Sequence, residues 1–302
     1  MKYATTDRDL MAASAEIALT PPPPLAKCLC SEESFSLPAP RRNLNADVGA
    51  AMLDRRTCRS FLDRHVEMQE MADVLFYAGG AVFSHPTNFF GPVLKKCAPS
   101  PGARHATEIY PVIRAVHGVP QGIYHYCGLH HRITSVSEED VPAFLIRGLQ
   151  KQKCFADAAV TCFLTAVTGR VRWKYRQSRA FRLMHYEIGH YAQNLLLAST
   201  ALGLGAFVTG ALVDSYVEDV LGADGVDEVL MYAAGFGPRS EEGPYRREGV
   251  EISGILESAE GIRLPAPMPD LPQIPGDVES FLNVSGPDGS QFDKRRGTYN
   301  DG

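Results

Sequence analysis

An α+β sandwich is the fold class that the sequence predicts, on three observations. First, Met184, Ile188, Tyr191, Leu195, Ala198 and Leu202 recur at alternating spacings of four and three, widened by Ala192 and Leu196, which marks one long amphipathic helix. Second, TEIYPVIRAVH and AAVTCFLTAV are rich in β-branched and apolar residues over strand-like lengths. Third, helix and strand patterns are interspersed without a βαβ rhythm, which argues against a doubly wound parallel sheet.

In chain order, LNADVGAAMLDRR opens after an Asn/Asp-type cap and reads as a helix. MQEMADVLFYAGG is a second helix, stopped by paired glycines. TEIYPVIRAVH is a strand, and GIYHYC with HRITSV forms a hairpin across Gly128. EEDVPAFLIRGLQ is helical and AAVTCFLTAV is a buried strand. The long helix is predicted over about 171–203, with Gly203 and Gly205 ending it. GLGAFVTG reads as an apolar turn, SYVEDVLG as a short helix and VDEVLMYAAGFG as a last buried strand.

With 302 residues, 45% of them hydrophobic, the chain has apolar mass for a large core. A net charge of −5 gives no basic field for nucleic acid or an anionic membrane. No apolar stretch reaches the roughly 18 residues of a membrane span. The first residues carry charge where a signal peptide needs an apolar run, so a cytoplasmic protein is expected. Most of the 21 prolines lie near the ends. They predict a Pro-rich extension over 1–43, a folded body over 44–238 and a Pro-rich extension over 239–302, partly extended or disordered.

Seven scattered cysteines suit a reducing compartment. Cys28-Leu29-Cys30 is tighter than the usual C-x-x-C motif. His125, Cys127, His130 and His131 in YHYCGLHH have ligand chemistry, but alternate residues on a strand face opposite ways. With no second cluster at a finger-like spacing, polar hairpin residues and no bound metal are expected.

Three stretches carry possible chemistry. In DRRTCRSF, Arg55, Arg56 and Arg59 with the Thr57 hydroxyl suit a phosphate clamp, and equally suit a solvated helix terminus. In APSPGARHATEIY, small residues and Gly102 let backbone approach a flat ligand with Arg104 as donor, or simply turn into a strand. Around GLGAFVTGALVDSY, Gly203, Gly205 and Gly210 allow a backbone N–H to face a ring, although no Walker or dinucleotide fingerprint is present.

Taken together these stretches resemble a known family. R-R-T-C-R-S-F resembles the R-R-S-x-R-x-F opening of the nitroreductase-like flavoproteins. S-P-G-A-R-x-x-x-E-I-Y, G-I-Y-H-Y and E-x-G-H-x-x-Q-N-L-L-L-A-x-x-x-L-G-L-G-A resemble the SagB-type branch, which includes thiazoline and oxazoline dehydrogenases of modified-peptide pathways. The resemblance covers residues 50–237. It implies a sandwich with a central, mostly antiparallel sheet flanked by helices. It also implies a homodimer of the domain-swapped type with FMN at the subunit interface. By motif position, Arg55, Arg56 and Thr57 would hold phosphate and ribityl chain, supported by Arg59. Ser100 and Arg104 would contact the flavin, and Thr209 and Gly210 fall where the family aims a backbone N–H at flavin N5. Arg239, Arg246 and Arg247 compete for a last phosphate contact.

Lys174-Tyr175 matches the adjacent pair by which azoline dehydrogenases act. Aromatising an azoline removes a hydride and a proton. A lysine or tyrosinate among cations, here Arg172, Arg176, Arg179 and Arg182, can take the proton. Glu187 and His190 are expected in a structural hydrogen-bond network, and Trp173 and Tyr191 in pocket wall or core. The resemblance implies a peptide or carrier-bound substrate and a biosynthetic partner enzyme. The competing readings are an NAD(P)H-dependent reductase of the same fold and a non-catalytic flavin-binding scaffold.

Overall fold

The computed structural model describes residues 20–87, 92–176, 178–240, 291–293 and 298–300. The chain divides into two compact units, residues 1–246 and 247–302. Within the second, β10 (Gln291–Asp293) pairs antiparallel with β11 (Thr298–Asn300).

The first unit begins with a short strand, β1 (Phe35–Ser36), and α1 (Val48–Asp54). The Asp47 carboxylate caps α1 by accepting from the Ala50 N–H at 2.9 Å. α2 (Met68–Gly79) starts with a reciprocal Glu67/Glu70 capping box and buries Met71, Val74, Leu75 and Ala78. β2 (Ala81–His85) and β3 (Val93–Lys96) form a separate hairpin. Then follow β4 (Thr107–Ile113), β5 (Gly122–Cys127) and β6 (Arg132–Ser137). Two helices, α3 (Val141–Gly148) and α4 (Lys153–Ala156), lead to β7 (Val160–Val167). The chain continues through α5 (Thr168–Lys174), α6 (Arg179–Ala201), β8 (Gly205–Thr209), α7 (Asp214–Leu221) and β9 (Glu228–Gly237).

Seven strands make one sheet in the order β1-β6-β5-β4-β7-β9-β8. All six pairings are antiparallel, as expected of the α+β sandwich. Each face carries its own core. The larger packs α2 and α6, through Met71, Leu75, Met184, Ile188 and Leu195, on Ile109, Leu164 and Ala234. The smaller packs α3 and α7, through Phe144, Leu145 and Val217, on Tyr110, Phe163 and Phe207. Central strands are therefore apolar on both faces, which is why AAVTCFLTAV reads as a continuous run.

Two elements differ from the sequence expectation. The helix expected over 171–203 is two helices, broken at Tyr175 (φ −118°, ψ 83°). Stepping back from Met184 along the buried stripe reaches Ala180 and then Arg176, which is exposed. No apolar face drives the helix through the break, and Tyr175 turns back onto the core. GLGAFVTG, expected as a turn, supplies edge strand β8. Five residues are too few to separate strand from turn by periodicity. Only the pairing of Phe207 with Gly235 and Val208 with Ala234 makes the difference.

Of the N-terminal extension, residues 20–43 run over the body. The Lys27 ammonium donates to Tyr110 Oη and Glu228 Oε2, at 2.7 and 2.8 Å. The Trp173 indole N–H donates to the Thr20 carbonyl at 3.0 Å.

Candidate functional site

The break between α5 and α6 aims the Lys-Tyr pair at the loop before β4. Gly102, at φ +62°, is the contact point. A Cβ built there would lie 2.9 Å from Lys174 Nζ and 3.0 Å from Tyr175 Oη, so amine and phenol converge over one glycine. Glycine is required both for the left-handed backbone and for the space. Arg104 lies beside them, its guanidinium 5.0 Å from the Trp173 ring centroid. It is 1% exposed, and both its Nη atoms are buried without a hydrogen-bond partner. Such a cation calls for an acceptor from outside the described residues.

Burial, and then the Arg104 cation, lowers the proton affinity of Lys174 below that of a free lysine. Burial pushes the Tyr175 phenol up, and Arg104 offsets this only in part. Of the two candidate bases, the lysine is the one shifted toward its basic, unprotonated form, while the tyrosine is shifted toward the phenol. The field expected from Arg172, Arg176, Arg179 and Arg182 is not the cause. Arg172, Arg176 and Arg182 are exposed, and Arg104 is the cation that acts.

A buried polar network fixes the loop. Glu187, on α6, accepts from the Ser100 hydroxyl at 2.6 Å and from the Thr107 N–H and hydroxyl at 2.8 and 2.9 Å. Ser100 in turn accepts from the His105 N–H, so its side chain is committed to holding the loop. His105 Nε2 donates to the Leu94 carbonyl, which leaves Nδ1 to accept from the Tyr191 hydroxyl, a neutral tautomer. Burial, then the Lys96 charge, lowers His105 to about 3. Burial would raise Glu108, but the His125 hydrogen bond and the Arg170 cation hold it at about 2. Glu187 thus has the structural role expected of it and Tyr191 is core, whereas His190 leaves Glu187 for the Pro99 carbonyl.

The arginine stretch lies along the outer edge of β8. Thr57 bridges Ala206 in parallel, Phe61 bridges Arg239, and the Cys58 N–H donates to the Ala206 carbonyl at 2.8 Å. Arg56 is exposed and folds back on the end of α1, donating to the Leu53 and Arg55 carbonyls. In this arrangement it serves the helix terminus. Arg59 reaches over the Phe155 ring, 6.0 Å from its centroid. A Cβ on Gly205 would meet Cys58 Sγ at 2.5 Å and Arg239 Cβ at 2.9 Å, so Arg239 joins the cluster. Arg246 and Arg247 lie outside the described residues. Thr209 donates to Gln152 Oε1 at 3.2 Å and accepts from the Ala211 N–H. Gly210 is exposed, and a Cβ there would find only Tyr232, at 3.9 Å.

Register orders these landmarks along the sheet. Ala206, beside Thr57, is level with Phe236 and through it with Val160. Thr209 is level with Ala233 and Phe163, and β7 then runs to Val167, where α5 begins. The arginine segment and the start of α5 are thus about 20–25 Å apart at roughly 3.4 Å per residue, with Gly210 between. The residues fit FMN: arginines at one end for a phosphate, open backbone at Gly210 for a ring, and orphaned Arg104 donors for ring acceptors. A cavity of about 550 Å³ elsewhere, lined by Arg42, Asp47, Tyr77, Cys97, Asn194 and Ala198 among others, contains none of the expected site residues.

Glu187 anchors the loop through contacts distant in sequence, which no local pattern announces. The sequence profile of the nitroreductase family matches residues 52–237. A protein of Methanocaldococcus jannaschii described as a nitroreductase is 33% identical over 170 residues, 56% of this chain and 81% of that one. The trifolitoxin-processing protein TfxB of Rhizobium leguminosarum bv. trifolii is 33% identical over 154 residues, 47% of this chain but only 39% of TfxB. Among solved structures, one from Ralstonia eutropha described as a nitroreductase superposes with a TM-score of 0.56 at 21% identity, over 73% of this chain and 95% of that one. A chain of the E. coli microcin synthetase McbBCD complex superposes with a TM-score of 0.53 at 19% identity, over 71% of this chain and 78% of the other. At these identities the structures speak to the fold alone.

Proposed function

The chain belongs to the nitroreductase family, and on that premise we propose that it is an FMN-dependent dehydrogenase. Its substrate would be an azoline, in a peptide or on a carrier, which it oxidises to the aromatic azole. The observation that carries this reading is the convergence of Lys174 Nζ and Tyr175 Oη over Gly102, beside the two buried, unpartnered Nη atoms of Arg104. A reductase that only passes hydride to an acceptor has no need of a half-buried lysine whose proton affinity is lowered. A dehydrogenase that must take a carbon-bound proton does. The kinship with a trifolitoxin-processing protein supports a substrate of peptide origin.

FMN, when bound, supplies the hydride acceptor. Arg55, Arg59 and Arg239, with the Thr57 hydroxyl, would hold its phosphate and ribityl chain, and Arg56 would join them by releasing the end of α1. Thr209 and Gly210 would present backbone to the ring, and Arg104 would donate to its acceptors. Ser100 and Glu187 keep Arg104 in place. Lys174, neutral, takes the ring proton of the azoline at Nζ, and Tyr175 donates from Oη to orient the heterocycle. Trp173 and the segment at Thr20 shield this side from water. A homodimer with flavin at the subunit interface, and a partner enzyme that delivers the azoline, complete the proposal.

The test is Lys174→Ala. The variant should purify yellow yet oxidise a thiazoline carboxamide at least ~10²-fold more slowly, the low end for a general base. Unchanged turnover refutes the assignment of Lys174 as base, and a colourless protein makes the lysine structural.

A further inference from the structure

The N-terminal segment and the β5–β6 turn meet in a cluster of four soft ligands. β1 pairs antiparallel with β6, Phe35 opposite Ile133, and the Arg132 guanidinium donates to the Ser34 carbonyl at 2.8 Å. Ser34 Oγ and Thr134 Oγ1 lie 2.8 Å apart. This pairing carries the preceding residues to the tip of the hairpin. There Cys28 Sγ, Cys30 Sγ, Cys127 Sγ and a ring nitrogen of His130 all lie within 4.8 Å of one another. The sulfurs of Cys28 and Cys127 lie 3.4 and 3.5 Å from His130 Nδ1.

We propose that Cys28, Cys30, Cys127 and His130 form a structural zinc site. Tetrahedral zinc with Zn–S near 2.3 Å and Zn–N near 2.0–2.1 Å separates its ligand atoms by roughly 3.5–3.8 Å, the spacing approached here before any metal draws them in. Both short contacts to the imidazole use Nδ1, so one nitrogen faces the centre. Three thiolates and one imidazole fill a tetrahedron and leave no position for water, which marks the site as structural. No second cluster lies near Cys127 in sequence, because Cys28 stands 102 residues from His130 and only the sheet unites them.

The zinc fastens a strap. From Cys28 the chain runs back through Lys27, held by Tyr110 and Glu228, to Thr20, whose carbonyl accepts the indole N–H of Trp173. Trp173 is the chain's single tryptophan and packs against Arg104. The metal thus secures the cover of the Lys174 side, and its loss should free the indole.

Untagged full-length protein, purified without chelator under reducing conditions, should contain close to one zinc per chain by elemental analysis. After chelation it should rebind one equivalent of added Zn²⁺. Co²⁺ in its place should show the bands of a tetrahedral thiolate site. Chelation should lower the thermal midpoint and red-shift the Trp173 emission. Cys28→Ser, at an exposed position that disturbs no core, should weaken Zn²⁺ binding at least ~10²-fold, beyond the loss of an outer-shell partner. Cys154→Ser, outside the cluster, should bind as the parent does. The proposal is overturned by stoichiometric binding that survives Cys28→Ser, by failure of the reduced parent to bind Zn²⁺, or by a disulfide among Cys28, Cys30 and Cys127 in protein freshly isolated from the cell. None of these outcomes depends on enzyme activity, so the zinc site stands or falls apart from the dehydrogenase.

Discussion

Replacing Gly102 with alanine tests the centre of the site with a single carbon. The new Cβ would lie 2.7 Å from Lys174 Cδ, 2.9 Å from Nζ and 3.0 Å from Tyr175 Oη, where ordinary contact is about 3.5–4.0 Å. Both side chains must retreat by ~1 Å. They are flexible ends rather than backbone, so the clash itself relaxes cheaply. Holding alanine at φ +62° costs a further ~1–2 kcal/mol. For a folded body of this size that lowers the thermal midpoint by roughly 2–8 °C. A ~1 Å displacement of reacting groups costs about 10²-fold in rate. The expected result is a yellow protein, slightly less stable, that oxidises a thiazoline carboxamide about 10²-fold more slowly in anaerobic single turnovers followed by loss of flavin absorbance. Ala103→Gly is the control, because Ala103 is also at positive φ (53°) and glycine adds no atom. It should keep its rate. If Gly102→Ala turned over like the parent, the amine and phenol would not act from their place over Gly102.

Alanine at both Arg55 and Arg56 should strip the cofactor, giving colourless protein after gel filtration with little change in thermal midpoint; a yellow double variant would move the phosphate site elsewhere. Arg104→Met removes the cation that opposes the Lys174 ammonium. The lysine then holds its proton more tightly, and the rising limb of the kcat/KM–pH profile should shift to higher pH; a limb that stays put excludes Arg104 as the cause. His105 is lowered to about 3 when folded and is 2% exposed, so the unfolded chain binds the extra proton below about pH 6.5. Stability from this residue is complete above that pH and falls as the solution is acidified toward pH 3. Urea unfolding should lose ~1.4 kcal/mol more in the parent than in His105→Gln between pH 8 and pH 5.5; equal losses would mean that His105 does not stay neutral in the fold.

Local chemistry made much of the molecule legible in the sequence. The Asn/Asp-type cap before α1, the paired glycines that stop α2 and the stripe from Met184 to Leu202 are one-dimensional patterns, so α1, α2 and α6 follow from them. The β-branched runs of β4, β7 and β9 announce themselves in the same way, and the motifs pointed to Gly102, Arg104 and Lys174 together. Other features belonged to the tertiary structure. The helix breaks at Tyr175 because no apolar stripe continues past Ala180, and the break is what turns Lys174 onto Gly102. GAFVT becomes a strand only because β9 offers it a ladder. Lys174 is depressed by burial and by Arg104, which stands 70 positions away in sequence, and not by the arginines beside it. Capping and periodicity act over one or two turns of chain, so composition in order suffices to write them. Desolvation, cation pairing and ligand clustering depend on distance in space, and that distance is set only once the sheet has closed.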